Sequence, residues 1–217
     1  MSDQSPKRGG PASHTARSGD HVSRIAALYG FRSYEPVWSH PDNSSLRQQR
    51  QTPHIIAVED VVRVPAMTNQ EIKRGTGKRH RFTVRNHNLK VRFSFQGWGG
   101  KPLDKAPTEV RLDGSSVEFR VENGKVEVPV SPLIDTCEVK WGDREVSARI
   151  GFLQPSDVVA GYRERLNNLG YDAGDSDDRT DLRLRSAVEE FQCDEGLTVD
   201  GKCGPATQAR LVKVHGC

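Results

Sequence analysis

The chain has 217 residues, only 34% of them apolar, with 20 glycines and 12 prolines. That composition points to several small domains joined by loops and argues against one deep core. Net charge is +3, from 32 basic and 29 acidic residues, a mixed surface that does not point to nucleic acid. No apolar run reaches the roughly 18 residues a membrane helix needs.

Met1 to Arg17 is rich in Ser, Pro, Gly, Lys and Arg, and is expected to be a disordered arm. It holds no apolar stretch, so no secretory signal is expected there. From Gly19 the pattern changes. Gly19-Asp20-His21-Val22-Ser23-Arg24-Ile25-Ala26-Ala27-Leu28-Tyr29-Gly30 reads as a capped helix. Asp20 is the expected cap, Ile25 and Leu28 point inward, and Gly30 ends it. Val37-Trp38-x-His40-Pro41-x-Asn43 makes a corner before Leu46, and Ile55 to Pro65 reads as a turn and a short strand. Trp38 and Tyr29 are expected as core anchors.

Residues 18–66 resemble a LysM domain, a βααβ module. Gly19, Asp20, Ile25, Ala26, Tyr29, Gly30, Asp60 and Pro65 fall at matching places. His21 stands where that family has threonine, Glu59 where it has the turn glycine, and the segment His40 to Pro53 is longer and more polar. The resemblance implies contact with N-acetylglucosamine chains through loops that here contain Asp20, His21 and Asn43.

Residues 67–80 read as a polar linker. From 81 to 152 the periodicity is that of strands. Leu89, Val91, Phe93 and Phe95 alternate with polar residues; the runs 110–112, 117–121, 126–130, 139–141 and 146–150 follow. Asp113-Gly114, Asn123-Gly124 and Gly142-Asp143 are tight-turn signals between antiparallel strands. About seven strands suggest a small β-sandwich, similar in architecture to immunoglobulin-like or transthyretin-like spacers.

The last stretch, 153–217, reads as three amphipathic helices. The first is expected from about Ser156 to Leu169 with Gly170 as its stop. The second runs from about Asp181 to Cys193, capped by Thr180, and the third opens at Gly204-Pro205 and runs through Leu211. Leu169-Gly170-Tyr171, Phe191-Gln192 and Val199-Asp200-Gly201-x2-Gly204-x2-Thr207 resemble the three-helix peptidoglycan-binding domain fused to many cell-wall hydrolases. Asp175 to Thr180 departs from the aspartate-glycine-x-x-glycine loop of that family's first half. The resemblance implies glycan contact in turns containing Tyr171, Asp200, Gly201 and Thr207, while by their bare chemistry Asp200 and Thr207 are more often turn-formers and caps than ligands.

No G-x-S-x-G, H-E-x-x-H or P-loop pattern occurs, and the histidines, scattered in turns and loops, read as surface residues. The expectation is therefore a non-catalytic protein with no catalytic residue, no cofactor and no metal. Cys193 and Cys203 bracket one turn and could form a bridge in an oxidising compartment or remain free thiols; with His215 and Cys217 their spacing matches no usual zinc pattern. The multidomain α+β reading is a LysM-like module, a β-sandwich spacer and a C-terminal three-helix bundle. The implied partner is peptidoglycan or its fragments, with no nucleic acid and no membrane insertion. Two wall-type modules without a signal peptide resemble accessory proteins of contractile injection devices such as type VI secretion systems. That resemblance implies action in the periplasm or outside after delivery from the cytoplasm. The alternative is an adaptor whose end modules bind machine components instead of glycan.

Overall fold

The structure, a computed structural model, describes residues 10–50, 52–67, 73–81, 89–95, 101–103, 107–112, 115–120, 122–141 and 144–217. The turn pairs Asp113-Gly114 and Gly142-Asp143 lie outside these residues. The chain divides into two compact units. One holds the residues up to His54 together with Val58–Gly151; the other holds Ile55–Ala57 together with Phe152–Cys217.

The first unit begins with β1 (Ala12–Thr15), which pairs antiparallel with β2 (Val61–Val64). Between them run α1 (Val22–Leu28), α2 (Glu35–Trp38), a 3-10 turn at Pro41–Asn43 and α3 (Ser44–Arg50). β1 lies inside the stretch expected to be a disordered arm. Its sequence, ASHT, has no apolar run, but its backbone is satisfied by β2 and the His14 ring packs edge-on against Tyr29, with centroids 5.9 Å apart. Val22, Ile25, Ala26, Val37, Leu46, Val62 and Val64 are buried. Burial alternates along β2, with Val62 and Val64 turned inward, as a half-buried strand requires. Arg50 closes the module by a bidentate pair with Asp60, at 2.7 and 3.0 Å.

The same unit continues through six strands. β3 (Leu89–Ser94) pairs with β6 (Lys125–Val130). β4 (Pro107–Leu112), β5 (Ser115–Arg120), β7 (Thr136–Trp141) and β8 (Arg144–Arg149) form a second antiparallel sheet in the order β5-β4-β7-β8. Val126, Val128 and Val130 of one sheet meet Val110, Cys137 and Val139 of the other in one apolar cluster. The expected hairpin at Asn123-Gly124 takes a different form. Both residues have positive φ, 51° and 68°, as a tight hairpin turn demands, but the pairing across it is a single bridge, Glu122 to Lys125. The chain then leaves its sheet and β6 joins β3. The turn is a corner between sheets.

The second unit is three helices: α4 (Val159–Leu169), α5 (Leu182–Asp194) and α6 (Pro205–His215). Tyr162, Leu166, Ala173, Leu184, Ala187, Val188, Phe191 and Leu211 form its core. Gly170, at φ 97°, ends α4: its N–H bonds Asn167 O, and the next N–H, of Tyr171, bonds Leu166 O. This is the left-handed stop the sequence announces. α4 starts three residues later than expected, because Val158 N–H turns back onto Pro155 O. Asp181, and not Thr180, caps α5, its carboxylate accepting from Arg183 N–H at 2.7 Å and Leu184 N–H at 3.4 Å. α6 runs past Leu211 to His215. One buried cation organises the start of the unit. Arg165, 1% exposed, donates to Gln154 O, Gly161 O and Cys217 O at 2.7–2.8 Å, so its desolvation is met by three carbonyls. Burial holds its pKa below the ordinary guanidinium value.

Candidate functional site

Four of the seven expected contact residues converge on the last turn of α5. Gln192 is the hub. It is 1% exposed, yet it sits beside Phe191 in the apolar stripe of its helix, so its amide must be satisfied from within. Oε1 accepts from the N–H groups of Asp200 and Gly201, each at 3.0 Å. Nε2 lies 2.9 Å from Asp200 Oδ1, 3.0 Å from Lys202 O and 3.0 Å from Thr207 Oγ1. Two amide protons serve three acceptors, so one is shared. The loop 199–203 is thus wound around one side chain and tied to the first turn of α6.

Within that loop Asp200 is exposed, and its Oδ1 also accepts from Lys202 N–H at 2.9 Å. The Gln192 amide, followed by the Lys202 N–H, holds its carboxyl below the usual range, so it is anionic at neutral pH. Asp200 Oδ2 has no hydrogen-bond partner among the described residues. Gly201 has φ 68°, and a Cβ there would stand 2.7 Å from Glu189 Oε1, so glycine fits both the turn and the close approach. Thr207 is buried; it anchors the loop and presents no hydroxyl to solvent. On the neighbouring face of the same helical turn, Tyr171 packs edge-on against Phe191, centroids 5.7 Å apart, and its hydroxyl donates to Asp194 at 2.9 Å. Burial, then the bond to Asp194, raises the phenol pKa, so the ring stays neutral.

The first turn of this unit, where the sequence departs from the family pattern, is held differently. Asn167 bonds Gly174 O at 2.8 Å and Ala173 N–H at 2.9 Å. Arg163 bonds Asp175 O at 2.8 Å and pairs with Asp177. An arginine clamp therefore holds this acidic loop.

The three contacts expected in the first unit are placed differently. Asp20 is 9% exposed and accepts from Arg17 N–H and the His14 ring, both at 2.9 Å. It is not the α1 cap. His21 is, its Nδ1 accepting from Arg24 N–H at 3.2 Å, and at 2% exposure it is no surface histidine. A threonine at this position would cap in the same way. Asn43 is 1% exposed and fully engaged: Nδ2 donates to Val37 O and Arg63 O at 2.7 Å, and Oδ1 accepts from Arg63 N–H at 2.8 Å. It clamps the outer edge of β2. All three are buried in this geometry. An open groove of about 430 Å³ lies instead between the start of β1 and the end of β2, lined by Pro11, Ser13, His40, Asp42, Arg63 and Pro65 among others.

Sequence reasoning missed Gln192 as the organiser, although a polar residue following Phe191 on a buried stripe is the signal that finds it. It also missed Arg163, Asn167 and Asp194, whose roles depend on loop geometry. The four cysteines are free thiols, and burial raises the Cys203 thiol to about 12. No cluster of three or more metal-ligating side chains occurs among the described residues.

Residues 156–211 match the family described as "Putative peptidoglycan binding domain". That match covers most of the three-helix unit. No curated protein matches the chain, and no solved structure does.

Proposed function

We propose that the protein is a non-catalytic peptidoglycan-binding accessory, and that the helical unit contacts the wall through the surface around the last turn of α5. The observation that carries this reading is the family match over residues 156–211. The loop geometry supports it: a rigid turn, with Asp200 presenting a free carboxylate oxygen beside Lys202, suits the hydroxyl and amide groups of a glycan strand. Pull-down of the full chain with insoluble peptidoglycan tests the reading. Enrichment is expected, without loss of turbidity of the wall suspension; absence of enrichment defeats it.

A second reading applies to the N-terminal module. We infer a LysM-like module from its order, with two antiparallel strands enclosing short helices, and from the residues that match. Asp20, His21 and Asn43 are spent inside the fold, which favours a module adapted to bind protein. The proposal of a contractile injection apparatus as that partner, with delivery to the periplasm or beyond, rests on the pairing of two wall-type modules. Co-purification with tube, tail or spike components would support it, and recovery of the chain free of them would count against it.

A further inference from the structure

His21 has one nitrogen that nothing satisfies. Nδ1 accepts from Arg24 N–H, so the neutral ring carries its proton on Nε2, and that atom is buried without a partner. Gly151 stands beside it. A Cβ on Gly151 would stand 2.8 Å from His21 Cδ2, the ring atom bonded to Nε2, and 2.6 Å from Gly19 O. Gly151, at φ 85°, thus packs closely against the Cδ2 side of the ring, next to Nε2. Gly151 follows β8, at the end of the strand region. A second link joins the same two parts: Arg24, on α1, donates to Leu133 O at 3.3 Å and pairs with Asp135, both in the turn between β6 and β7.

We propose that this joint between the N-terminal module and the strand region is an acid-released latch, in which protonation of His21 lifts the Gly151 turn away. Protonation puts a hydrogen on Nδ1, facing the Arg24 N–H it now accepts from, so the cap bond is lost. It also leaves a buried imidazolium. Burial is the largest influence and opposes the charge; His54 and Arg24 oppose it too, while Asp20 and Asp135 favour it without making up the difference. Asp20 is already committed to His14 and Arg17, and the Arg24–Asp135 pair is half exposed on the carboxylate side and screened by salt. In the proposed open state, with Gly151 moved off, water solvates the charged ring.

The sign follows from the depressed value. Burial lowers the closed-state pKa of His21 from 6.5 to about 4. Well above pH 6.5 the two states bind the same number of protons and the joint is closed. As pH falls from 6.5 through about 4 the open state gains protons first, and the open-to-closed ratio rises by up to roughly 300-fold.

The test is amide NMR of the full chain between pH 7.5 and 4, with His21→Asn as control, since asparagine keeps an oxygen for the cap but does not titrate in this range. The Gly19, Arg24 and Gly151 amides are expected to shift together, while far-ultraviolet circular dichroism holds constant. In His21→Asn the concerted shift should vanish. Gly151→Ala, which cannot close, should show the open shifts already at pH 7.5. The latch is overturned if the three amides stay fixed, if they move equally in His21→Asn, or if they move only with global unfolding. Should His21→Asn fail to fold, the Gly151→Ala spectrum decides alone: closed shifts at pH 7.5 sink the proposal.

Discussion

At the scale of single residues, several positions carry a conformation or a hydrogen-bond set their neighbours cannot supply. Glu59 is the clearest backbone case. It sits at φ 71°, left-handed, with its N–H on Ala16 O at 2.9 Å and its side chain exposed. The sequence shows glutamate where the resembling family has glycine, and the structure shows why glycine belongs there. Glu59→Gly should stabilise the first unit by about 1 kcal/mol, since the left-handed cost of an L-residue disappears; thermal unfolding would show it, and an unchanged or lower Tm would refute it. Asn43 is the clearest polar case. Truncation strands Val37 O, Arg63 O and Arg63 N–H in or beside the core, so Asn43→Ala should cost about 2–4 kcal/mol in urea unfolding. Replacement with near-neutral effect would mean the clamp is not formed. The cap on α1 illustrates what sequence cannot reveal. Asp20 and His21 are both acceptors at the right place, and only the position of His14 decides that aspartate is drawn away and histidine takes the helix.

At the scale of elements, the three helices were legible and their ends nearly so. Apolar spacing, Gly170 and Gly204-Pro205 mark them because those residues meet requirements local to the chain. The start of α4 was less legible. It depends on Gly161 lying against Pro155 O, so closely that a Cβ has no room. Gly161→Ala should therefore loosen the 154–161 turn and the Arg165 carbonyl cluster, at a cost of several kcal/mol, although alanine is the better helix former. Hydrogen exchange would show lost protection at Tyr162 to Leu166; protection equal to wild type would contradict the close packing. The strand region was legible as strands but not in its connections. Alternation fixes which face each strand buries, whereas the switch of β6 to the β3 sheet is decided by a corner that any Asn-Gly pair could equally make into a hairpin. β1 was not legible, because a short edge strand in a polar stretch draws its stability from its partner.

At the scale of the whole molecule, the chain joins two compact units with different claims on function. The helical unit carries the match to the family described as "Putative peptidoglycan binding domain", and four of the expected residues meet there on the last turn of α5. The other unit absorbs its expected contacts into its own framework. The division makes the account separable by experiment. Quantitative binding of the full chain to insoluble peptidoglycan, comparing wild type with Gln192→Ala and Arg63→Ala, is the direct measurement. Gln192→Ala frees the 199–203 loop while leaving the apolar core of Phe191, Leu184 and Leu211 in place, and circular dichroism checks that the helices persist. Affinity is expected to fall at least about tenfold, the equivalent of roughly 1.4 kcal/mol, with Arg63→Ala indistinguishable from wild type. If instead Gln192→Ala binds as wild type does while Arg63→Ala fails, the wall contact lies on the N-terminal module and the central claim is wrong.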